Sequence, residues 1–199
     1  NESYEIEIEV LNNNLTTSNI ETLEKNIKTV IKFILSGLQN STYPISLTEQ
    51  VSVAKSYMKL IHGREKEKIL PKEFCGPASF TLELKNIQPN QDNDNNIPNI
   101  RNNYTVTDKA DGTRKLLFIS TNGKVYFIPT TTQVEFTGII ISNEKLHNTI
   151  IDGEHILHDK TGNFIDTYAA FDLYYLGGKS VRELSFVPIK VTENPSKFR

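Results

Sequence analysis

Six short apolar, β-branched runs, at 104–107, 116–119, 124–128, 139–141, 150–157 and 168–176, follow one another with turn-forming residues between them. Runs of this length match strands better than helices, and the tight Asn122-Gly123 step favours a hairpin. The expected fold class is therefore α+β, built on a mostly antiparallel sheet.

Upstream of residue 69 the period changes. Ser18 and Glu21 have capping-box spacing, and Ile20, Leu23, Ile27, Val30, Ile31, Ile34 and Leu38 recur at helical intervals, which predicts a helix over about 19–37. Ser46 with Glu49 opens a second helix through Val51, Ala54, Met58 and Ile61 that closes near Gly63. The two are expected to pack together as a linker. Before them, Tyr4 to Val10 alternates apolar and acidic residues, the period of a strand with Glu5, Glu7 and Glu9 on one face. After them, the segment LPKEFCGPASFTLEL is expected to begin the strands, and residues 88–103, rich in Asn, Asp and Pro, to form a mobile surface loop. Asp92, Asp94 and Asn96 have calcium-loop spacing there. Ile97 stands where the turn needs Gly, and Asn103 where a bidentate Glu belongs, so that reading fails.

Composition narrows the function classes. A formal charge of -2 leaves a polyanion partner to be met by a local basic patch. The one cysteine, Cys75, rules out an internal disulfide and a multi-cysteine zinc site, which fits a reducing compartment. No apolar run reaches the roughly 20 residues of a membrane span, and the polar start is not a signal peptide; a cytoplasmic protein is expected.

The densest chemical signal is Lys109-Ala110-Asp111-Gly112-Thr113-Arg114, set between the runs YTVT and KLLFI. A strand, a tight loop and a second strand would present Lys109 at a fixed point. A lysine amine attacks an α-phosphate only when deprotonated, a state favoured by burial, neighbouring cations or a metal. Gly112 would let the backbone approach a nucleotide closely.

These residues resemble the first motif, KxDGxR, of the covalent nucleotidyltransferase superfamily of DNA ligases, RNA ligases and mRNA-capping guanylyltransferases. The resemblance implies a lysyl-nucleotide on Lys109, a sugar contact from Arg114, and nucleotide-binding roles for Asp111 and Gly112. Ile150-Ile151-Asp152-Gly153-Glu154 is similar to a second family motif, which assigns Glu154 to the ribose or the metal environment. Ala170-Phe171-Asp172-Leu173-Tyr174-Tyr175 looks like the family strand whose aromatic residue, here Phe171, stacks on the purine. Core packing is the other account of that ring.

Pro77 and Ser79 stand in places matching the LPGxxPVS segment of guanylyltransferases, which tilts the resemblance toward capping enzymes. Glu5, Glu7 and Glu9 resemble metal-binding glutamates of triphosphate-tunnel RNA triphosphatases, which precede the guanylyltransferase in large DNA viruses. A solvated acidic strand face is the simpler account of them.

The organisation implied is a terminal triphosphatase strand over 1–12, a helical linker over 13–68 and the N-terminal part of a guanylyltransferase domain, of ligase or ATP-grasp-like fold, over 69–199. The implied ligands are GTP, the RNA 5′ end, and Mg2+ or Mn2+, with a further methyltransferase domain as a partner. A viral factory or virion is the implied location if the source is a virus.

The chain departs from the pattern in two places. FIPTTTQV carries no arginine where many guanylyltransferases have one, and neither the later motifs nor the oligonucleotide-binding-fold domain has a counterpart before Arg199. It therefore reads as a fragment, expected to transfer nucleotide poorly alone. An ATP-dependent ligase and a non-catalytic binding module are the alternatives.

Other signals fail. Gly177-Gly178-Lys179-Ser180 lacks the earlier P-loop glycine, because Leu173 stands there, and reads as a hairpin turn. His155 and His158 lie three apart in a strand and would face opposite ways.

Overall fold

The structure, a computed structural model, describes residues 5–11, 20–89, 97–102 and 104–186. Ser18, Asp92, Asp94, Asn96 and Asn103 lie outside the described residues.

Two helices precede one sheet. Helix α1 (Ile20–Gln39) forms where the apolar spacing places it, but buries none of its residues, and Phe33 and Leu38 are exposed. Helix α2 (Leu47–His62) is the one that packs on the sheet. Its start is fixed by the Ser46 hydroxyl, which accepts the Glu49 N–H at 3.1 Å, and its end by Gly63 in the left-handed region at φ 67°.

Six strands follow: β1 (Thr113–Ile119), β2 (Lys124–Pro129), β3 (Glu135–Ile140), β4 (Thr149–His158), β5 (Phe164–Leu176) and β6 (Lys179–Ser180). Their order is β3-β2-β1-β4-β5-β6, and every pairing is antiparallel. The sheet is thus two sequential meanders joined along β1 and β4. The β1–β2 turn contains Asn122-Gly123, whose Asn122 side chain accepts from Ser120 Oγ and the Lys124 N–H, with Gly123 at φ 79°. Gly177 and Gly178, both at positive φ, make the two-residue β5–β6 turn.

The core lies between α2 and one sheet face. Val53, Ala54, Tyr57 and Met58 project from successive turns of α2 onto Leu116, Phe118, Ile128, Ile150, Tyr174 and Tyr175. Leu116 and Phe118 alternate on β1, so one pleat face supplies both. Each such side chain removed from water contributes about 1.5–3 kcal/mol. Tyr57 meets Phe118 edge-on, with centroids 6.0 Å apart. Glu49 joins the helix start to β2 through Lys124 at 2.7 Å and the Tyr126 hydroxyl at 2.8 Å.

Three expectations are corrected. Residues 5–11 form no strand, and Glu5, Glu7 and Glu9 are exposed. Residues 104–110 are likewise irregular rather than a strand, with Tyr104 and Val106 exposed. A strand is made by hydrogen bonds to a neighbour, and no described segment pairs with either stretch, however suitable its alternation. The 70–84 segment folds as short 3-10 turns at Pro71–Glu73 and Leu84–Asn86 separated by irregular chain, because Pro71, Gly76 and Pro77 interrupt any ladder.

Candidate active site

The motif residues lie at the start of β1 and in its lead-in, and in the middle of the neighbouring strands β4 and β5. Lys109 and Asp111 lie on the irregular lead-in to β1, and Arg114 is the second residue of that strand. Across the β1–β4 ladder, Arg114 stands directly opposite Glu154. Phe171 falls where the β4–β5 register slips: Asp172 pairs with Asp152 and Ala170 with Gly153, leaving Phe171 as the extra residue of a bulge, 39% exposed.

Lys109 is not buried. Its side chain is 83% exposed and its ammonium lies 2.7 Å from Asp111 Oδ1. That hydrogen bond and charge raise the lysine pKa, Glu154 adding to them from farther off, while the ammonium lowers the pKa of Asp111. The pair favours the protonated amine, and the presentation between two strands expected of Lys109 is replaced by an exposed ion pair on irregular chain.

Arg114 is the opposite case. Its Nε donates to Asp152 Oδ1 at 3.1 Å, its Nη2 to Asp152 Oδ2 at 2.5 Å, and its Nη1 to the Pro77 carbonyl at 2.7 Å. Phe74 lies against the guanidinium, 5.4 Å from ring centroid to Cζ. Asp152 is fully buried, and its Oδ2 also accepts the Tyr174 hydroxyl at 2.5 Å. These charged bonds raise the pKa of Arg114, and burial with the Asp152 charge raises that of Tyr174.

The glycines explain the close approaches. A Cβ at Gly112 would lie 2.4 Å from the His155 carbonyl oxygen, so its smallness serves the seating of the lead-in against β4. A Cβ at Gly76 would lie 2.4 Å from Arg114 Nη2, and one at Gly153 2.5 Å from the Tyr168 ring. On the other sheet face Tyr168, Phe127 and His155 stack, with centroids 4.7 Å apart for Phe127–His155 and 5.3 Å for Phe127–Tyr168.

Sequence reasoning singled out neither Asp152 nor Tyr174. One signal was available: a carboxylate directly after two isoleucines in an apolar strand must find a partner when buried. Glu5, Glu7 and Glu9 are not brought to this site, and among the described residues no group of three or more His, Cys, Asp or Glu is placed to hold a metal. A divalent cation would therefore depend on phosphate oxygens supplied by a substrate, with Asp111 and Glu154 as the nearby carboxylates, which suits a cation that keeps few protein ligands. Among the described residues no helix is long and apolar enough to cross a membrane.

An exposed lysine, an arginine fixed by a buried carboxylate, an opposed glutamate and a half-exposed aromatic thus lie on β1, its lead-in and the neighbouring strands β4 and β5. Residues 48–188 match the family model of the mRNA capping enzyme, catalytic domain. The chain is 32% identical over 181 residues, 90% of its length, to a probable mRNA-capping enzyme of Acanthamoeba polyphaga mimivirus. It is 29% identical over 119 residues, 57% of its length, to an mRNA-capping enzyme of Danio rerio. The chain belongs to the mRNA-capping enzyme catalytic-domain family, whose members are nucleotidyltransferases. It spans 13% and 18% of the lengths of these two relatives.

Proposed function

We propose that the protein is an mRNA guanylyltransferase of the kind found in large DNA viruses, and that Lys109 is its nucleophile. The free amine of Lys109 attacks the α-phosphorus of GTP. An N–P bond forms, the bond from that phosphorus to the bridging oxygen breaks, pyrophosphate leaves with the electron pair, and the amine loses a proton. A terminal phosphate oxygen of diphosphate-ended RNA then attacks the same phosphorus, breaking the N–P bond and carrying GMP away as the cap. Magnesium or manganese, when bound with the substrate, offsets phosphate charge.

The observation that carries this reading is the family match over residues 48–188, a span that contains the lysine, DGE and aromatic motifs. In support stands the placement of Arg114 directly opposite Glu154, with Lys109 on the lead-in to the same strand as Arg114. In the proposed site Arg114 and Glu154 meet the sugar, Asp111 and Gly112 line the nucleotide, and Phe171 stacks on the purine. RNA triphosphatase activity through Glu5, Glu7 and Glu9, and an associated methyltransferase, belong to the same proposal for the whole protein, as does a cytoplasmic, virus-associated location.

The test is covalent labelling of the full-length protein with α-labelled GTP and, separately, α-labelled ATP, in wild type and Lys109→Ala. Acid-labile label from GTP that disappears in the variant is the expected result. Label from ATP alone would make the protein a ligase, and no label from either a non-catalytic module.

A further inference from the structure

We infer that Asp152 and Tyr174 are positioning residues that set the affinity for nucleotide by holding Arg114 rigid; this rests on the guanylyltransferase reading above.

Arg114 has five N–H donors, of which three are committed. Asp152 takes two with both carboxylate oxygens, the bidentate geometry that fixes a guanidinium in plane as well as in place. The Pro77 carbonyl takes a third from the opposite edge, and Phe74 covers one face. Gly76 supplies the space, since any Cβ there would collide with Nη2. The Arg114 side chain is nonetheless 28% exposed, and two of its N–H donors remain for a ligand oxygen.

The base of this clamp is unusual in its burial. Asp152 is fully buried, and its charge is balanced by Arg114 and satisfied by the Tyr174 hydroxyl. Tyr174 reaches it because the β4–β5 register slips between Ile150 and Ile151, which makes Tyr174 the extra residue of a bulge. A guanidinium already immobilised loses little rotamer freedom when a sugar hydroxyl or phosphate binds, so the ordering cost is met in folding rather than in binding. The prediction is specific to affinity: loosening the clamp should raise KM and Kd for the nucleotide far more than it lowers the rate of the chemical step at saturation.

The experiment is titration of GTP and of ATP against the full-length protein, with single-turnover labelling, for wild type, Arg114→Lys, Tyr174→Phe, Asp152→Asn and the Arg114→Lys/Tyr174→Phe double variant. Tyr174→Phe keeps the ring and removes one hydrogen bond to a charged group, so it is the variant that stays folded if Asp152→Asn does not; a thermal melt checks both. Weaker nucleotide binding by about tenfold in Tyr174→Phe, with the saturated rate little changed and no further loss when Arg114 is already lysine, is the expected result. Wild-type affinity in folded Tyr174→Phe, or fully additive losses in the double variant, would overturn the clamp while leaving the guanylyltransferase reading intact. If ATP alone binds and labels, that reading fails, and the clamp is judged by the same comparison with ATP. A wild-type protein that binds neither nucleotide overturns both.

Discussion

The amine proposed to attack phosphorus is paired here as an ammonium with a carboxylate. The Lys109–Asp111 pair is 2.7 Å long and exposed, and its effect is to raise the lysine pKa. Removing the carboxylate lowers that pKa toward its ordinary value, so more free amine exists at any pH below it. Asp111→Asn should therefore move the acid limb of the pH–labelling profile to lower pH, whatever it does to the maximum; an unmoved limb would show that the pair dissolves before the chemical step. At this scale the sequence was informative where a motif names single residues. Lys109, Arg114 and Glu154 were singled out because their motifs resemble those of a known family. The partnership of Asp152 with Tyr174 was not, because it depends on a register slip: simple alternation puts Tyr174 and Tyr175 on opposite faces, whereas both are buried.

Both helices were legible, the first although it buries none of its residues, whereas two stretches without a strand partner were misread. The second helix has its Ser46 cap and Gly63 stop, and β1, β2, β4 and β5 contain the runs expected of them, while β3 at Glu135–Ile140 begins well ahead of the run at 139–141. The alternating stretches at 5–11 and 104–107 have equally good patterns and no described partner, so they carry no ladder. The 71–75 segment illustrates how an irregular stretch is secured instead. The buried Tyr57 hydroxyl donates to the Glu73 carbonyl at 3.0 Å and accepts the Cys75 N–H at 2.9 Å, tying the chain that leads to Gly76 and Pro77 onto α2. Tyr57→Phe leaves that carbonyl and N–H without this partner, at a cost of about 1–3 kcal/mol. A drop in thermal or denaturant midpoint of that size is expected, together with weaker nucleotide binding, because the Pro77 carbonyl bound to Arg114 lies two residues beyond Cys75. A variant as stable as wild type would mean that water replaces the hydroxyl.

Across the whole molecule, the sheet is assembled from parts that are local in sequence. Residues 113–140 form one antiparallel meander and 149–180 another, and hairpins of this kind close over short loops at little entropic cost. Among the described residues the β1–β4 ladder is the one strand pairing that joins them, and it is there that Arg114 meets Asp152 and Glu154. The overall class, α+β with an antiparallel sheet, was evident from the order of periods along the chain. The central placement of β1 between β2 and β4 was not, since it is a choice among pairings that the apolar pattern satisfies equally well.

That arrangement has a consequence for how the site comes into being. Arg114 belongs to one meander and Lys109, with Asp111, to the chain leading into it; Asp152, Glu154 and Phe171 belong to the other. The proposed site exists only as a property of their junction. Opening the chain between Ser142 and Asn143, in the exposed connection before the Glu144–Leu146 turn, leaves both meanders covalently whole. The two pieces produced together should recombine and regain nucleotide binding, each alone having none, and pieces that stay apart in gel filtration would refute this. Lys109 and Glu154 would then report, by their shared ligand, that two separate chains have found each other.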